Sequence, residues 1–271
     1  MSGTRLRLTA CLGLVALLFV ASPAMAQVAP TLGTAGQFAV LANSAVTGST
    51  GSGTAVNGDV GSSPTATISN FPPSTVVAPY TVHFTNDGTV QQAHTNAKTA
   101  YDFLAAQSGT VLNNNLSTNG VLGPGVYTLG AADLPASTTL TLNGSGIFIF
   151  NVASSLTMNT SSVVSGSANP CNVYWRVGTS ATLNGTSFIG TVISDASITV
   201  GGGTVTGRVL AGTGATGAVT MPGSGGNTIG GCSVTPVPTL PQWAAAFLLA
   251  GLLGVGYLRL RGRSTGAPRT V

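Results

Sequence analysis

Ser180-Ala-Thr-Leu-Asn-Gly-Thr-Ser-Phe-Ile-Gly-Thr-Val-Ile-Ser-Asp-Ala-Ser-Ile-Thr-Val-Gly-Gly-Gly-Thr-Val-Thr-Gly-Arg208 is the stretch on which the reading of the chain turns. Within it, Ala181-Thr182-Leu183 and Ile198-Thr199-Val200 share one alternation. Successive side chains of a strand point to opposite faces, so the two threonines stand on one surface and the aliphatic residues feed a core. Thr182 and Thr199 lie 17 residues apart with Gly-rich corners between them. That interval is one coil of a β-solenoid made of short strands.

The template recurs on both sides. Leu140-Thr141-Leu142, Leu156-Thr157-Met158 and Val219-Thr220-Met221 repeat it, always with Thr at the outward centre. A core accounts for the inward residues but not for the constancy of the outward one. Asn43-Ser-Ala-Val-Thr47 matches Asp195-Ala-Ser-Ile-Thr199, and Val56-Asn-Gly-Asp-Val60 matches Val205-Thr-Gly-Arg-Val209. Thr47 therefore joins the same row, and its coil takes a place in the stack that the later chain completes. A second strand type, Ile147-Phe-Ile-Phe150, Val173-Tyr-Trp-Arg-Val177 and Thr191-Val-Ile193, is apolar at adjacent positions and must be covered on both faces.

One helix is expected, at about 88–108, with Asp87 as its cap and Gly109 as its stop. Val90, Ala93, Ala97, Ala100, Tyr101 and Leu104 form a mostly alanine stripe that allows close approach to a sheet. This stripe is the available cover for the doubly apolar strands, and it leaves the threonine surface open. His94, Lys98 and Asp102 are four residues apart on the neighbouring face, where a solvated Lys98–Asp102 pair is a simpler reading than a proton relay. Ser62 to Asn86 is rich in proline and reads as an irregular cap, with His83 a lone structural or solvated histidine.

Composition narrows the function. The chain has 271 residues, 38 Gly, 14 Pro and 5% charged residues. Its formal charge of +4 comes from the ends. Between them stand Lys98, Arg176 and Arg208 against Asp59, Asp87, Asp102, Asp133 and Asp195, a net of −2. No basic stripe exists for nucleic acid. The aspartates are scattered singly, without the paired carboxylates that polysaccharide cleavage needs, so no enzyme is expected. No Cys/His spacing points to a metal, and no cofactor is called for.

Met1 to Ala26 reads as a signal peptide: arginines, an apolar run near Leu12 to Val20, and Ala24-Met25-Ala26 as cleavage site. Cys11 leaves with it. Cys171 and Cys232 remain, expected as a disulfide in a secreted protein, with two buried thiols as the alternative. Residues 27–232 form the β-helix domain. Residues 233–242 are a linker and sorting motif, and 243–271 an apolar segment with an Arg-rich tail. Val237-Pro-Thr-Leu-Pro-Gln-Trp243, the short apolar run and Arg259-Leu-Arg-Gly-Arg263 resemble the IPTL-type sorting signals of Gram-negative bacteria, with Val in place of the first Ile. That resemblance implies export, transient residence in the inner membrane, processing by an exosortase-type protease or anchoring, and a final place outside the cell or at its envelope; the alternative is a plain C-terminal membrane anchor.

The body resembles the microbial ice-binding proteins. The matching stretches are Leu32-Gly-Thr-Ala-Gly-Gln-Phe-Ala-Val-Leu41, Val56-Asn-Gly-Asp-Val-Gly61, Gly125-Val-Tyr127, Ile147-Phe-Ile-Phe150, Cys171-Asn-Val-Tyr-Trp175 and Val205-Thr-Gly-Arg-Val-Leu-Ala211. The resemblance implies an all-β fold with one long helix: a discontinuous right-handed parallel β-helix with the helix along one face. It also implies antifreeze activity by a monomer whose partner is ice. The expected ice face comprises Thr139, Thr141 and Asn143; Ser155, Thr157 and Asn159; Ser180, Thr182 and Asn184; Ser197 and Thr199; Thr220; and Thr47. A second candidate face carries Ser165, Ser187, Thr204 and Thr206, interrupted by Val163 and Ile189. The alternative function is a surface adhesin or matrix protein without ice activity.

Overall fold

The computed structural model describes residues 27–214, 216–222 and 226–232. The expected signal peptide, sorting motif and apolar tail lie outside the described residues. Among the described residues no helix is long and apolar enough to cross a membrane.

Short parallel strands stack into a solenoid, each hydrogen-bonded to the equivalent strand of the coils above and below. One wall is a seven-stranded sheet in the order Ala132–Leu134, Leu156–Met158, Ala181–Leu183, Ile198–Val200, Ala218–Thr220, Ala45–Thr47 and Ile68–Ser69. The N-terminal coils thus sit beyond the last coil of the chain, and Thr47 pairs in register with Thr220. The discontinuity expected from the Asn43–Thr47 match is present. The Pro-rich stretch departs from expectation. It supplies the short strands Ile68–Ser69 and Thr75–Val76, which pair with Ala45–Thr47 and Thr54–Asn57 and form the terminal coil. Pro64, Pro72, Pro73 and Pro79 fall outside these two strands, so they remove no donor from either.

Inward side chains from all walls meet in one continuous core. Along its axis the rings of Tyr127, Phe150, Trp175 and Phe188 follow one another, with centroids 5.3, 3.9 and 5.4 Å apart. Trp175 is fully buried, and its indole N–H donates to the Ile189 carbonyl at 3.1 Å. Gly190, at φ 118°, lets strand Ser187–Ser194 bend around the solenoid corner, and a Cβ there would crowd that indole. Trp175→Ala is expected to destabilise the protein by about 4 kcal/mol, because neighbours on both sides of the stack lose contact. Urea unfolding measures it.

The helix α1 runs Gly88–Ala105. Asp87 caps it, its Oδ1 accepting from the Thr89 and Val90 amides, and these hydrogen bonds hold its carboxyl below the usual range. The helix ends before the expected Ser108, because Asn151 Nδ2 reaches over from the sheet and donates to the carbonyls of Leu104, Ala105 and Gln107. All six residues of the expected stripe are buried, packed on Phe38, Leu41, Ile149, Tyr174, Ile193 and Leu210. The doubly apolar strands are covered as their sequence requires.

Lys98 and Asp102 pair at 2.6 Å on the solvated face. His94 stands apart from them, donating to the Gly212 carbonyl at 3.1 Å when Nε2 carries its proton. Burial lowers the His94 pKa, with the Gly212 contact opposing. A histidine with a depressed folded pKa binds its proton less well folded than unfolded. Its contribution is complete above the unfolded value near 6.5 and is lost as pH falls through the folded value. The melting temperature is expected to fall as pH drops below about 6.5, and to fall less in His94→Gln; thermal melts across that range check it. His83 is not alone. Its Nδ1 lies 3.1 Å from Asp87 and its Nε2 3.5 Å from Asp59, so it ties the helix cap to the terminal coil.

Candidate functional site: an uncovered threonine row

On the seven-stranded wall the outward central residues are in register from strand to strand. The row reads Asp133, Thr157, Thr182, Thr199, Thr220, Thr47, Ser69. The two residues flanking the central threonine are apolar, point inward and are buried in Leu156–Met158, Ala181–Leu183 and Ile198–Val200. Adjacent strands are about 4.8 Å apart, and outward residues along one strand about 6.7 Å. Branching at Cβ restricts each threonine to few rotamers, so its methyl and hydroxyl hold fixed directions. The five threonines are partly exposed, and no hydrogen bond among the described residues engages their hydroxyls. Helix α1 packs on a different wall, over Leu41, Ile149 and Leu210.

A second rank lies two residues before the threonines. Ser155, Ser180 and Ser197 fall there, followed by Ala218 and Ala45. Ser197 Oγ is engaged, accepting from the Ala218 amide at 3.1 Å. Asn184 is exposed and overhangs Gly201. Asn159 is tied into the coil, its Nδ2 donating to Asp133 Oδ1 at 2.9 Å and the Leu134 carbonyl at 3.1 Å.

Thr139, Thr141 and Asn143 do not belong to this wall. Strand Thr139–Leu142 pairs with Val163–Ser165 and Val121–Leu122 in the other sheet. The rung below Thr157 is Ala132–Leu134, whose outward residue is Asp133. Strands of both walls feed one core, so both carry the apolar-x-apolar template, and Leu-Thr-Leu is equally at home on either. Coil length decides between them. Thr157 and Thr182 are 25 residues apart, Thr182 and Thr199 only 17, and a short period wrongly projects Thr157 back onto Thr141. Asp133 and Ser69, the ends of the row, are missed when the outward residue is required to be Thr; Ala132-Asp-Leu134 fits the template once that demand is dropped.

The second face gains what the first loses. One rank there reads Thr139, Val163, Ser187, Thr204, Thr228, Ala55, Thr75. A neighbouring rank brings Thr141 beside Ser165 and Ile189 beside Thr206. Val163 and Ile189 break its hydroxyl pattern, as their sequence positions require.

Cys171 and Cys232 form a disulfide, with Cα atoms 5.3 Å apart. Among the described residues no group of three His, Cys, Asp or Glu side chains could hold a metal.

A solenoid whose first coils complete its last, with a helix along one wall and an uncharged threonine row on another, defines the class: a right-handed, discontinuous parallel β-helix. The profile of the family described as Ice-binding-like matches residues 40–225. This chain belongs to that family. An ice-binding protein of Nostoc sp. (strain HG1) is 35% identical over 199 residues, 70% of this chain and 71% of that protein. The crystal structure of an ice-binding protein from an Antarctic biological consortium aligns with TM-score 0.66 at 36% identity, covering 76% of this chain and 92% of that one. That of an ice-binding protein from the Antarctic ascomycete Antarctomyces psychrotrophicus aligns with TM-score 0.65 at 32% identity, covering 77% and all of it.

Proposed function

We propose that this protein binds ice through the row Thr157, Thr182, Thr199, Thr220 and Thr47, with Ser155, Ser180 and Ser197 as a second rank, and that adsorption slows ice growth and recrystallisation. The observation that carries the reading is the register of five threonines on consecutive rungs of an uncovered wall. Ice offers a periodic array of oxygens, so its receptor has to be rigid and regular. The threonine hydroxyls hold water at lattice-like positions, and their methyl groups exclude disordered water between them. One hydroxyl contributes about 1 kcal/mol net. Only many acting together retain the protein at an advancing crystal surface, and a continuous core enforces that they act together.

Family membership favours this over an adhesin without ice activity. Export through the segment 1–26 and handling of the tail by an exosortase-type protease, with a final place outside the cell or at its envelope, belong to the same reading; mass spectrometry of the protein recovered from its host checks both ends. The direct test is ice shaping by the purified protein at micromolar concentration. Faceted crystals and measurable thermal hysteresis are expected, and unshaped discs that grow at the melting point would overturn the assignment.

A further inference from the structure

At the start of the helix-bearing wall a cavity of about 360 Å³ opens between the N-terminal segment and the disulfide, lined by Pro30, Leu32, Gly36, Tyr174, Arg208 and Cys232 among others. Arg208 is 4% exposed. A guanidinium has five N–H groups and no acceptor. Nε and Nη2 donate to the Gly36 carbonyl, Nη2 also to the Cys232 carbonyl, and Nη1 to Thr191 Oγ1. All of these acceptors are neutral, and one Nη1 hydrogen remains. No carboxylate among the described residues forms an ion pair with it; Asp59 and Asp87 pair with His83, and Asp102 with Lys98. A buried cation is costly unless a counter-charge accompanies it, and burial pulls the Arg208 pKa down accordingly.

We propose that this cavity is a binding site for a small monocarboxylate, with Arg208 as its charge partner. A carboxylate supplies the missing counter-charge and an acceptor for the one remaining Nη1–H. Pro30, Leu32, the Tyr174 ring and the disulfide offer apolar walls to a short alkyl tail, the usual composition of a small-molecule site. The occupant sits among three segments that Arg208 already links by hydrogen bonds: the turn at Gly36, the strand of Thr191 and the chain at Cys232. The site lies on the helix-bearing wall, so it is independent of the threonine row.

The test titrates the purified protein with sodium butyrate against sodium chloride at constant pH and ionic strength. The melting temperature is expected to rise saturably in butyrate alone, by about 5–10 °C at a hundredfold excess over Kd. The Arg208 Nε–H resonance in a 15N correlation spectrum shifts along the same isotherm. Leu32→Trp fills the cavity, keeps the cation and removes both responses. Arg208→Lys keeps the charge but cannot reach the Gly36, Thr191 and Cys232 acceptors together, so the cation is no longer held at the cavity and binding weakens at least about tenfold. Identical melting in the two salts, an unmoved Arg208 resonance, or a butyrate response that survives Leu32→Trp would each overturn the site. Ice shaping is unaffected by butyrate in either case, so loss of this site and loss of the ice-binding assignment are told apart.

Discussion

Thr182→Tyr and Thr199→Tyr are each expected to lower thermal hysteresis at least tenfold while leaving the melting temperature within about 2 °C, since exposed substitutions away from caps and buried groups change stability by only about 0.5 kcal/mol. Both positions are central in the row and have threonines on both neighbouring rungs. A tyrosine ring projects above the threonine methyls and holds the adjacent rungs off a flat crystal plane. The loss therefore exceeds that of one hydroxyl, because contact fails over several rungs at once. Thr47→Tyr is expected to cost less, since its outer neighbour is Ser69 at the end of the sheet. Circular dichroism melts and hysteresis measurements on the same preparations separate folding from adsorption. If Thr204→Tyr removes activity and Thr182→Tyr does not, the second face is the receptor.

Reduction of the disulfide, or Cys171→Ser with Cys232→Ser, is expected to destabilise the fold by about 4 kcal/mol, a fall in melting temperature of about 10–15 °C. The bridge joins residues 61 apart in sequence, so its absence frees a long loop in the unfolded chain. Its position adds to the effect. Cys232 follows strand Asn227–Gly231, which lies between Thr204–Leu210 and the N-terminal strand Thr54–Asn57. The Cys232 carbonyl also accepts from buried Arg208. The out-of-order junction, where first and last coils meet, depends on this strand staying in place. Thr220 and Thr47 face each other across that junction. Loosening it shortens the ordered row, so hysteresis falls with stability under reducing conditions. Calorimetry with and without reductant provides the comparison, and an unchanged transition would remove the bridge from this account.

Much of the molecule was determined by local pattern. Alternation of aliphatic and hydroxyl residues marked the rungs, the alanine stripe from Val90 to Leu104 marked the helix and the wall it covers, and the Asn43–Thr47 match placed the first coil beside the last. These are consequences of periodicity: a strand has period two, a helix 3.6, and either can be read from a few residues. Which wall a strand occupies is another matter. Thr141 and Thr157 are both flanked by buried apolar residues, Leu140 and Leu142 in one case and Leu156 and Met158 in the other, yet they stand on different faces. Only the path of the chain around the intervening corners, 17 residues long in one coil and 25 in another, assigns them. Corner length carries no hydrophobic signal, because corner residues feed no core. In the same way Asn159 faces outward by its position but is turned back onto Asp133. His83, solitary in the sequence, is held by Asp59 and Asp87 from separate segments. Rungs and their outward chemistry follow from nearest neighbours along the chain, whereas registry between rungs is a long-range property that exists only once the coils have stacked.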